Sequence, residues 1–357
     1  MTETLSPGAT IGILGGGQLG RMLSVAAARL GFTTHIYEPG ANPPAGQVAD
    51  RVTTAAYNDA AALEAFAASV DVITYEFENI PTQALDLLEA HRPIRPGREA
   101  LRVSQDRLTE KTFLQGLGLH TAPFADITDL TSLEAAIETI GTPAILKTRR
   151  FGYDGKGQAR LNAPEDADAA LTDMTGAPAI LEGFVNFTHE VSIIAARGLD
   201  GQVACFDPGE NVHSDGILRT TTVPARLSPS QRTDAVLLAA NILNALEYVG
   251  VMGVELFVTP QGLIVNEIAP RVHNSGHWTQ NGCAVDQFEQ HIRAVAGWPL
   301  GDGQRHSDVV MENLIGADMD RVPDLAQERD VAIHLYGKAE TEPGRKMGHI
   351  NRVKRNG

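Results

Sequence analysis

Two glutamates raise the first chemical question. The stretch VMGVELFVTPQGLIVNEIAP, residues 251–270, reads as two apolar strands joined by a turn at Pro260-Gln261-Gly262. With a three-residue turn, Val258 pairs with Ile264 or a near neighbour, Phe257 with Val265, Leu256 with Asn266 and Glu255 with Glu267. Like charges directly opposite each other destabilise a sheet, and apolar neighbours make an unpaired charge costlier still. A divalent cation relieves the conflict. Mg²⁺ takes a few carboxylate oxygens and completes its shell with water and phosphate oxygens, and Asn266 adds a neutral ligand beside Glu267. A turn longer by one residue gives the alternative, with the glutamates facing apart toward solvent or arginine.

Other segments carry chemistry suited to phosphates. Lys147 ends the apolar run AILK, where a lysine can also simply snorkel to solvent. It leads into FGYDGKGQ, with three glycines between Gly152 and Gly157. Such a loop lets backbone N–H groups approach phosphate oxygens closely, and Lys156 adds charge. It is not a Walker A sequence, and a bare hairpin tip is the alternative. AILEGFV carries Glu182 and is followed by Glu190, a pattern suited to an adenine and ribose pocket or to an ordinary strand end. Near the start, ATIGILGGGQLGRML sets Gly15, Gly17 and Gly20 in a G-x-G-x-x-G spacing, with Glu38 downstream where a ribose-binding carboxylate would stand. That fingerprint taken alone points to a nicotinamide or flavin cofactor.

These residues need elements to position them. The first hundred residues alternate strand and helix signals: TIGIL, then QLGRMLSVAAARLG, TTHIYE, DAAALEAFAAS, VDVITYEF and PTQALDLLEAH. That order predicts a parallel sheet with right-handed crossovers. RPIRPG, 92–97, is turn-like and marks a first boundary. A helix is expected over 104–118 with Ser104 as its cap. Short strands follow (PAILKTRR, PAILEGFV, HEVSIIAARG, GQVACFD), then a long helix, SPSQRTDAVLLAANILNALEY, the glutamate hairpin and a helix at VDQFEQHIRAVAG. The last ~55 residues are mixed and end in a basic tail.

The 357 residues suggest two or three domains. Apolar residues make up 43% of the chain, enough for packed cores, and no apolar run approaches the ~18 residues of a membrane span. MTETLSPGAT lacks the basic and apolar regions of a secretory signal, so a cytoplasmic setting is expected. Cys205 and Cys283 lie too far apart in sequence to form a disulfide framework or a cysteine-only zinc site. A net charge of −15 argues against general nucleic-acid binding, but not against small anions held in a local basic pocket.

Lys147, the loop Gly152–Gln158, the LEGFV edge and Glu255 with Asn266-Glu267 occur in an order that resembles the ATP-grasp superfamily. Within it, GGGQLGRML, RRFGYDGKGQ, SDGILRTT, IVNEIAPRVHNSGHWTQNG and EPGRKMGHIN are similar to the 5-(carboxyamino)imidazole ribonucleotide synthases, from about residue 10 to 351. The most specific piece is Asn266–Asn281. The resemblance implies an α/β and α+β chain: a Rossmann-like pre-ATP-grasp domain over 1–100, a two-lobe ATP-grasp domain over 101–300 with a mobile lid at about 120–190, and a small C-terminal domain over 301–357. It implies ATP and Mg²⁺ as cofactors, bicarbonate and 5-aminoimidazole ribonucleotide as substrates, a homodimer, and neither nucleic-acid nor membrane partners. Members of the family usually continue beyond INRVKRNG, where this sequence stops.

Residue roles follow from the same resemblance. Arg107, Lys147, Glu182, Gly183, Phe184, Val185, Glu190 and His213 match nucleotide-contacting positions, with Lys147 on the phosphates, Glu190 on the ribose and the backbone of 182–185 against adenine. Gly152, Tyr153, Asp154, Gly155, Lys156, Gly157 and Gln158 would close over the phosphates. Glu255 and Glu267 would hold Mg²⁺, with Asn266 close by. Tyr153, Asp154, Lys156 and Arg271 are the catalytic candidates. Relatives often carry arginine where this chain has Lys156, a point charge rather than a fork. Gln18, Leu19, His273, Asn274, Ser275, Lys338, Arg345 and Lys346 would face the substrate. The glycine turn would then hold no dinucleotide and remain an anion or polar-ligand site. Three rivals stand beside this reading. One is another ATP-grasp ligase, using formate or resembling biotin carboxylase. The others are a Rossmann oxidoreductase and a non-catalytic nucleotide-binding protein.

Overall fold

The computed structural model describes residues 4–152 and 157–355. Its first layer is a parallel sheet of β1 (Thr10–Leu14), β2 (Thr33–Tyr37), β3 (Arg51–Thr53) and β4 (Val72–Tyr75), in spatial order β3-β2-β1-β4. Ile11, Ile13 and Leu14 are fully buried, as expected of a strand covered on both faces. Helices α1 (Gln18–Arg29) and α2 (Ala60–Ala68) link β1 to β2 and β3 to β4, and α3 (Thr82–Glu89) follows β4. The RPIRPG stretch also completes this layer, because Ile94 bridges Ile73 and Arg95 N–H donates to the Ile73 carbonyl.

The helix expected over 104–118 is α5 (Arg107–Gly116), which starts three residues after Ser104, and an unexpected short helix, α4 (Arg98–Ser104), precedes it. Ser104 ends α4. Asp106 caps α5, accepting the Leu108 and Thr109 N–H groups. Asp106 also pairs with Arg149 at 2.8 Å, while Arg107 N–H donates to the Arg149 carbonyl. The start of α5 is thereby tied to the strand that bears Lys147.

That strand belongs to a second, antiparallel sheet of β5 (Phe124–Ile127), β6 (Ala144–Thr148), β7 (Gln158–Leu161) and β8 (Ala179–Gly183), in order β5-β8-β6-β7. Between its strands run α6 (Leu130–Ile140) and α7 (Ala167–Asp173), which give it a core of its own around Leu133, Leu146 and Leu181. The third sheet contains β9 (His189–Arg197), β10 (Val203–Cys205), β11 (Gly209–Ser214), β12 (Ile217–Val223), β13 (Gly250–Thr259), β14 (Gly262–Ala269), β15 (Ser307–Ile315), β16 (Val331–Leu335) and β17 (Lys346–Arg355). Its order is β14-β13-β9-β11-β12-β15-β17-β16, with β10 on β9. The strands of 301–357 continue this sheet through β12–β15 pairing. Helices α8 (Pro229–Ala245), α9 (Thr279–Gly282), α10 (Gln287–Ala296) and α11 (Val322–Leu325) complete the chain. A Ser228–Gln231 capping box starts α8, Asp286 caps α10, and Gly297 ends α10 in the left-handed region at φ 75°.

The hairpin differs from expectation in two ways that cancel. Thr259 pairs with Gly262, so the turn has two residues, Pro260 and Gln261. Phe257 then meets Ile264 and Leu256 meets Val265, each one residue short of the expected partner. A bulge follows, skips Asn266 and restores the Glu255–Glu267 pair. Bulges re-aim side chains. Without this one, the side-chain period of two would put Glu267 on the face opposite Glu255.

Candidate active site

The three sheets meet around a cleft of about 730 Å³. β6 contributes Ile145 and Lys147, and α5 contributes Arg107. The hairpin contributes Glu255, Phe257, Asn266 and Glu267. Glu190 on β9 and His213 on β11 stand at another wall, with Gly152 and Gln158 at the rim of the glycine loop. Tyr153, Asp154, Gly155 and Lys156 lie outside the described residues. Gly157 has φ 70°, and a Cβ there would lie 2.6 Å from Thr148 Oγ1, so the loop re-enters β7 at a position suited to glycine.

Charge in the cleft is layered. Lys147 Nζ lies 3.0 Å from Glu182 Oε2, and the buried Lys111 Nζ lies 3.2 Å from the same oxygen. Lys111 also donates to the Asn266 carbonyl at 2.9 Å, tying α5 to the bulge. Burial lowers the Lys147 pKa, and Glu182 opposes that shift. Glu182 is therefore buried as a counter-charge and does not line the cleft. Gly183, Phe184 and Val185 follow it without lining the cleft either. The Gly183 and Phe184 N–H groups donate to the Pro123 and Pro143 carbonyls, and Arg160 stacks over the Phe184 ring at 4.6 Å.

On the acidic side, Arg107 Nη1 lies 3.1 Å from Glu267 Oε2. Burial acts to raise the Glu267 pKa, but Arg107 and Lys147 outweigh it and the net shift is downward. Among the described residues, Glu255 has no such arginine or lysine pair. Burial, then the facing Glu267, push it up to about 7. His273 Nε2 lies 3.4 Å from Glu255 Oε1, and burial with the Arg271 charge brings this imidazole down to about 3. It is a neutral neighbour and not a counter-charge. His213 Nδ1 lies 2.9 Å from Glu190 Oε2; burial lowers the His213 pKa, Glu190 raises it, and the rise prevails. Among the described residues, no group of three or more His, Cys, Asp or Glu side chains is placed to hold a metal ion unaided.

The substrate-facing candidates divide. Gln18, Leu19, Arg271, His273, Asn274 and Lys346 line the cleft. Arg271 is held by Glu78 at 2.8 Å. Ser275 is buried, within 2.6 Å of Ser192 Oγ and 2.8 Å of His273 Nδ1, so it supports His273 from behind. Lys338 and Arg345 line a neighbouring cavity with Gly17 and Glu38, and the two cavities share Glu76 and Phe77. Lys338 Nζ donates to the Lys346 carbonyl at 2.8 Å.

The glycine turn corrects an expectation. Gly17 and Gly20 N–H groups both donate to the Glu76 carboxylate, and Gly16 N–H donates to Glu38 Oε2 at 2.8 Å. A Cβ on Gly17 would lie 2.6 Å from Glu76 Oε1. The N-terminus of α1, where a dinucleotide pyrophosphate would sit, is occupied by the protein's own carboxylate. It is neither a dinucleotide site nor an open anion site.

Sequence reasoning missed several residues here. Lys111 and Glu110 sit on a helix, where charge ordinarily reads as a solvated face. Glu110 is buried, accepts Ile268 N–H at 2.6 Å, and is pushed up to about 8 by burial and Glu267. Phe187 and Phe257 stack at 4.6 Å along the cleft wall, a pairing between residues 70 positions apart that no local pattern signals.

Comparisons with known proteins agree with this architecture. Residues 8–105 match the ribonucleotide synthetase preATP-grasp domain, 112–288 the ATP-grasp domain, and 309–357 the phosphoribosylaminoimidazole carboxylase C-terminal domain. The chain is 56% identical over 354 residues to an N5-carboxyaminoimidazole ribonucleotide synthase of Brucella melitensis, covering 98% of each. The ADP complex of the Staphylococcus aureus N5-carboxyaminoimidazole synthetase superposes with a TM-score of 0.94 at 38% identity, covering 99% of this chain and 95% of that one. The Aspergillus clavatus N5-carboxyaminoimidazole synthase, in complex with ADP and 5-aminoimidazole ribonucleotide, gives 0.92 at 31% identity, covering 98% and 94%. The chain belongs to the N5-carboxyaminoimidazole ribonucleotide synthase family of ATP-grasp ligases.

Proposed function

We propose that the protein uses ATP to carboxylate 5-aminoimidazole ribonucleotide with bicarbonate, giving the N5-carboxylated ribonucleotide, ADP and phosphate. The observation that carries this reading is the Glu255–Glu267 pair facing the Lys147 and Arg107 cations across one cleft. The two carboxylates suit Mg²⁺ in donor chemistry. They are hard oxygens, too few to close its shell, and so leave positions for phosphate oxygens. Burial and the facing Glu267 raise the Glu255 pKa, a shift that a divalent cation bound by the pair would oppose. When bound there, the ion would neutralise charge on the transferring phosphoryl group.

The chain's own residues do the rest. Lys147, kept in place by Glu182, meets the phosphates, and Glu190 meets the ribose hydroxyls. Ile145 with the Phe187–Phe257 stack offers an apolar wall to the base. A bicarbonate oxygen attacks the γ-phosphorus and the bond to ADP breaks, giving carboxyphosphate. The exocyclic amine then takes the carboxyl carbon, the bond from carbon to phosphate oxygen breaks, and the amine loses a proton. Arg271, His273 and Asn274 face this reaction, Lys346 approaches from β17, and Lys338 with Arg345 takes the ribonucleotide phosphate in the adjoining cavity. Tyr153, Asp154 and Lys156 keep the roles that the family pattern gives them. The cytoplasmic setting and the homodimer belong to the same proposal, and light scattering tests the latter. No helix of the described residues is long and apolar enough to cross a membrane.

ADP release from Mg·ATP and bicarbonate, measured with and without 5-aminoimidazole ribonucleotide, tests the reading. Strong stimulation by the ribonucleotide is expected. Folded protein that binds ATP and turns over in neither condition contradicts it.

A further inference from the structure

Gln287, the first residue of α10, is fully buried. Its side-chain oxygen accepts the His273 N–H at 2.9 Å, and its amide nitrogen donates to the His273 carbonyl at 2.8 Å. A backbone N–H only donates and a backbone carbonyl only accepts, so these two bonds fix which end of the amide is oxygen. The same amide nitrogen lies 3.0 Å from His277 Nδ1. Nδ1 must therefore accept, and the ring proton is left on Nε2.

The ring is clamped on its faces as well. His349 lies against it with centroids 4.6 Å apart, and Phe288 at 5.5 Å. His349 is anchored in turn by the Tyr336 hydroxyl at 2.8 Å. Burial, then the neighbouring His273, hold the His277 pKa well below its usual value, so the ring is neutral. His277 lines the cleft. Among the described residues, its Nε2 meets no hydrogen-bond partner, although Nδ1 and the backbone carbonyl each have one. Asn274, in the same turn and on the same cleft, has both amide atoms buried and unpartnered among the described residues. A buried polar group with no partner is costly, and the Asn274 amide, in the turn that also brings His277 to the cleft, points to a polar ligand.

We propose that His277 is a fixed, neutral N–H donor to an anionic carboxyl oxygen in the cleft, and that Gln287 is the positioning residue that keeps its proton on Nε2. The identity of that anion, bicarbonate or the carboxyl group derived from it, rests on the function proposed above. The chemistry favours a neutral donor. An imidazolium there would be able to protonate the attacking amine and remove its nucleophilic lone pair. A neutral N–H neither gains nor loses a proton near pH 7, so it orients the carboxyl group and stabilises its charge without exchanging protons.

The test begins with the full-length wild-type protein labelled with ¹⁵N-histidine. Long-range ¹H–¹⁵N spectra identify which ring nitrogen carries the proton, with His277→Phe used for assignment. The expected result is a neutral His277 with its proton on Nε2. Gln287→Glu should move the proton to Nδ1, because a carboxylate can only accept. His277→Phe and Gln287→Glu should each lower kcat for ribonucleotide-dependent ADP release by about 10²-fold, with the KM for ATP changed by no more than about twofold. His277→Gln, which keeps an N–H donor, should retain more activity than His277→Phe. A wild-type ring protonated on Nδ1 or on both nitrogens overturns the proposal, and so does a folded His277→Phe with unchanged kcat. The wild-type spectrum decides even where a variant fails to fold. Absent ribonucleotide-dependent turnover in the wild type refutes the functional reading instead and leaves the tautomer as a separate result.

Discussion

Glu255 and Glu267 show at residue scale how the cleft trades stability for ligand binding. Folded Glu255 titrates at about 7 against 4.5 for an ordinary glutamate, so the folded state binds the extra proton between those values. Its contribution to stability is present below about pH 4.5 and is lost as the pH rises through about 7. His273 works in the opposite direction: with its pKa at about 3 against 6.5, its penalty is felt at low pH and fades as the pH rises. The informative quantity is therefore the difference between wild type and Glu255→Gln. In EDTA, urea unfolding should show that difference falling with pH by on the order of 2 kcal/mol between about pH 5 and about pH 8, with Mg²⁺ restoring most of it. A flat difference contradicts the pairing argument. Glu267→Gln should lower Mg²⁺-dependent turnover by about 10²-fold or more, and wild-type activity in that variant removes the metal assignment. The sequence made these two residues legible because charge in an apolar hairpin is conspicuous. Lys111 and Gln287 were not legible: a helix position says nothing of a carboxylate or a histidine brought to it by another part of the chain.

Elements carry the second set of lessons. The alternation of strands and helices identified the parallel layer, and the hairpin was recognised from its turn residues. Its register was not readable, because a shorter turn and the Asn266 bulge offset each other. Only the paired hairpin shows which residue is skipped. The start of α5 was set at Ser104 and not at Asp106 because both residue types cap well; Asp106 caps it and also pairs with Arg149, which comes from another sheet. The glycine turn shows the same limit, since G-x-G-x-x-G describes a backbone that can receive an anion and not which anion arrives. Here it is Glu76, from the end of β4. Glu76→Ala should destabilise the protein by about 1–3 kcal/mol through the stranded Gly17 and Gly20 N–H groups, read as a lower urea midpoint with an unchanged slope. An unchanged midpoint would mean that water serves those donors equally well.

At the scale of the whole molecule, the site exists only where three sheets converge. The small antiparallel sheet brings Lys147, the parallel layer brings Gln18 and Glu78, and the long sheet brings Glu190, His213, the hairpin and, through β17, Lys346. Motif order along the chain indicated that these residues act together, while the pairing of β12 with β15 that carries the C-terminal strands to the cleft lay beyond any local pattern. This convergence places Lys147, Arg107 and Lys346 and the Glu255–Glu267 pair around one space, an arrangement suited to the proposed ATP-driven activation of bicarbonate. The most direct test of that claim follows oxygen. If a bicarbonate oxygen attacks the γ-phosphorus, turnover of ¹⁸O-bicarbonate with ATP and 5-aminoimidazole ribonucleotide leaves one labelled oxygen in each phosphate released, in step with ADP. Phosphate carrying no label, formed at the rate of the carboxylated product, would contradict it.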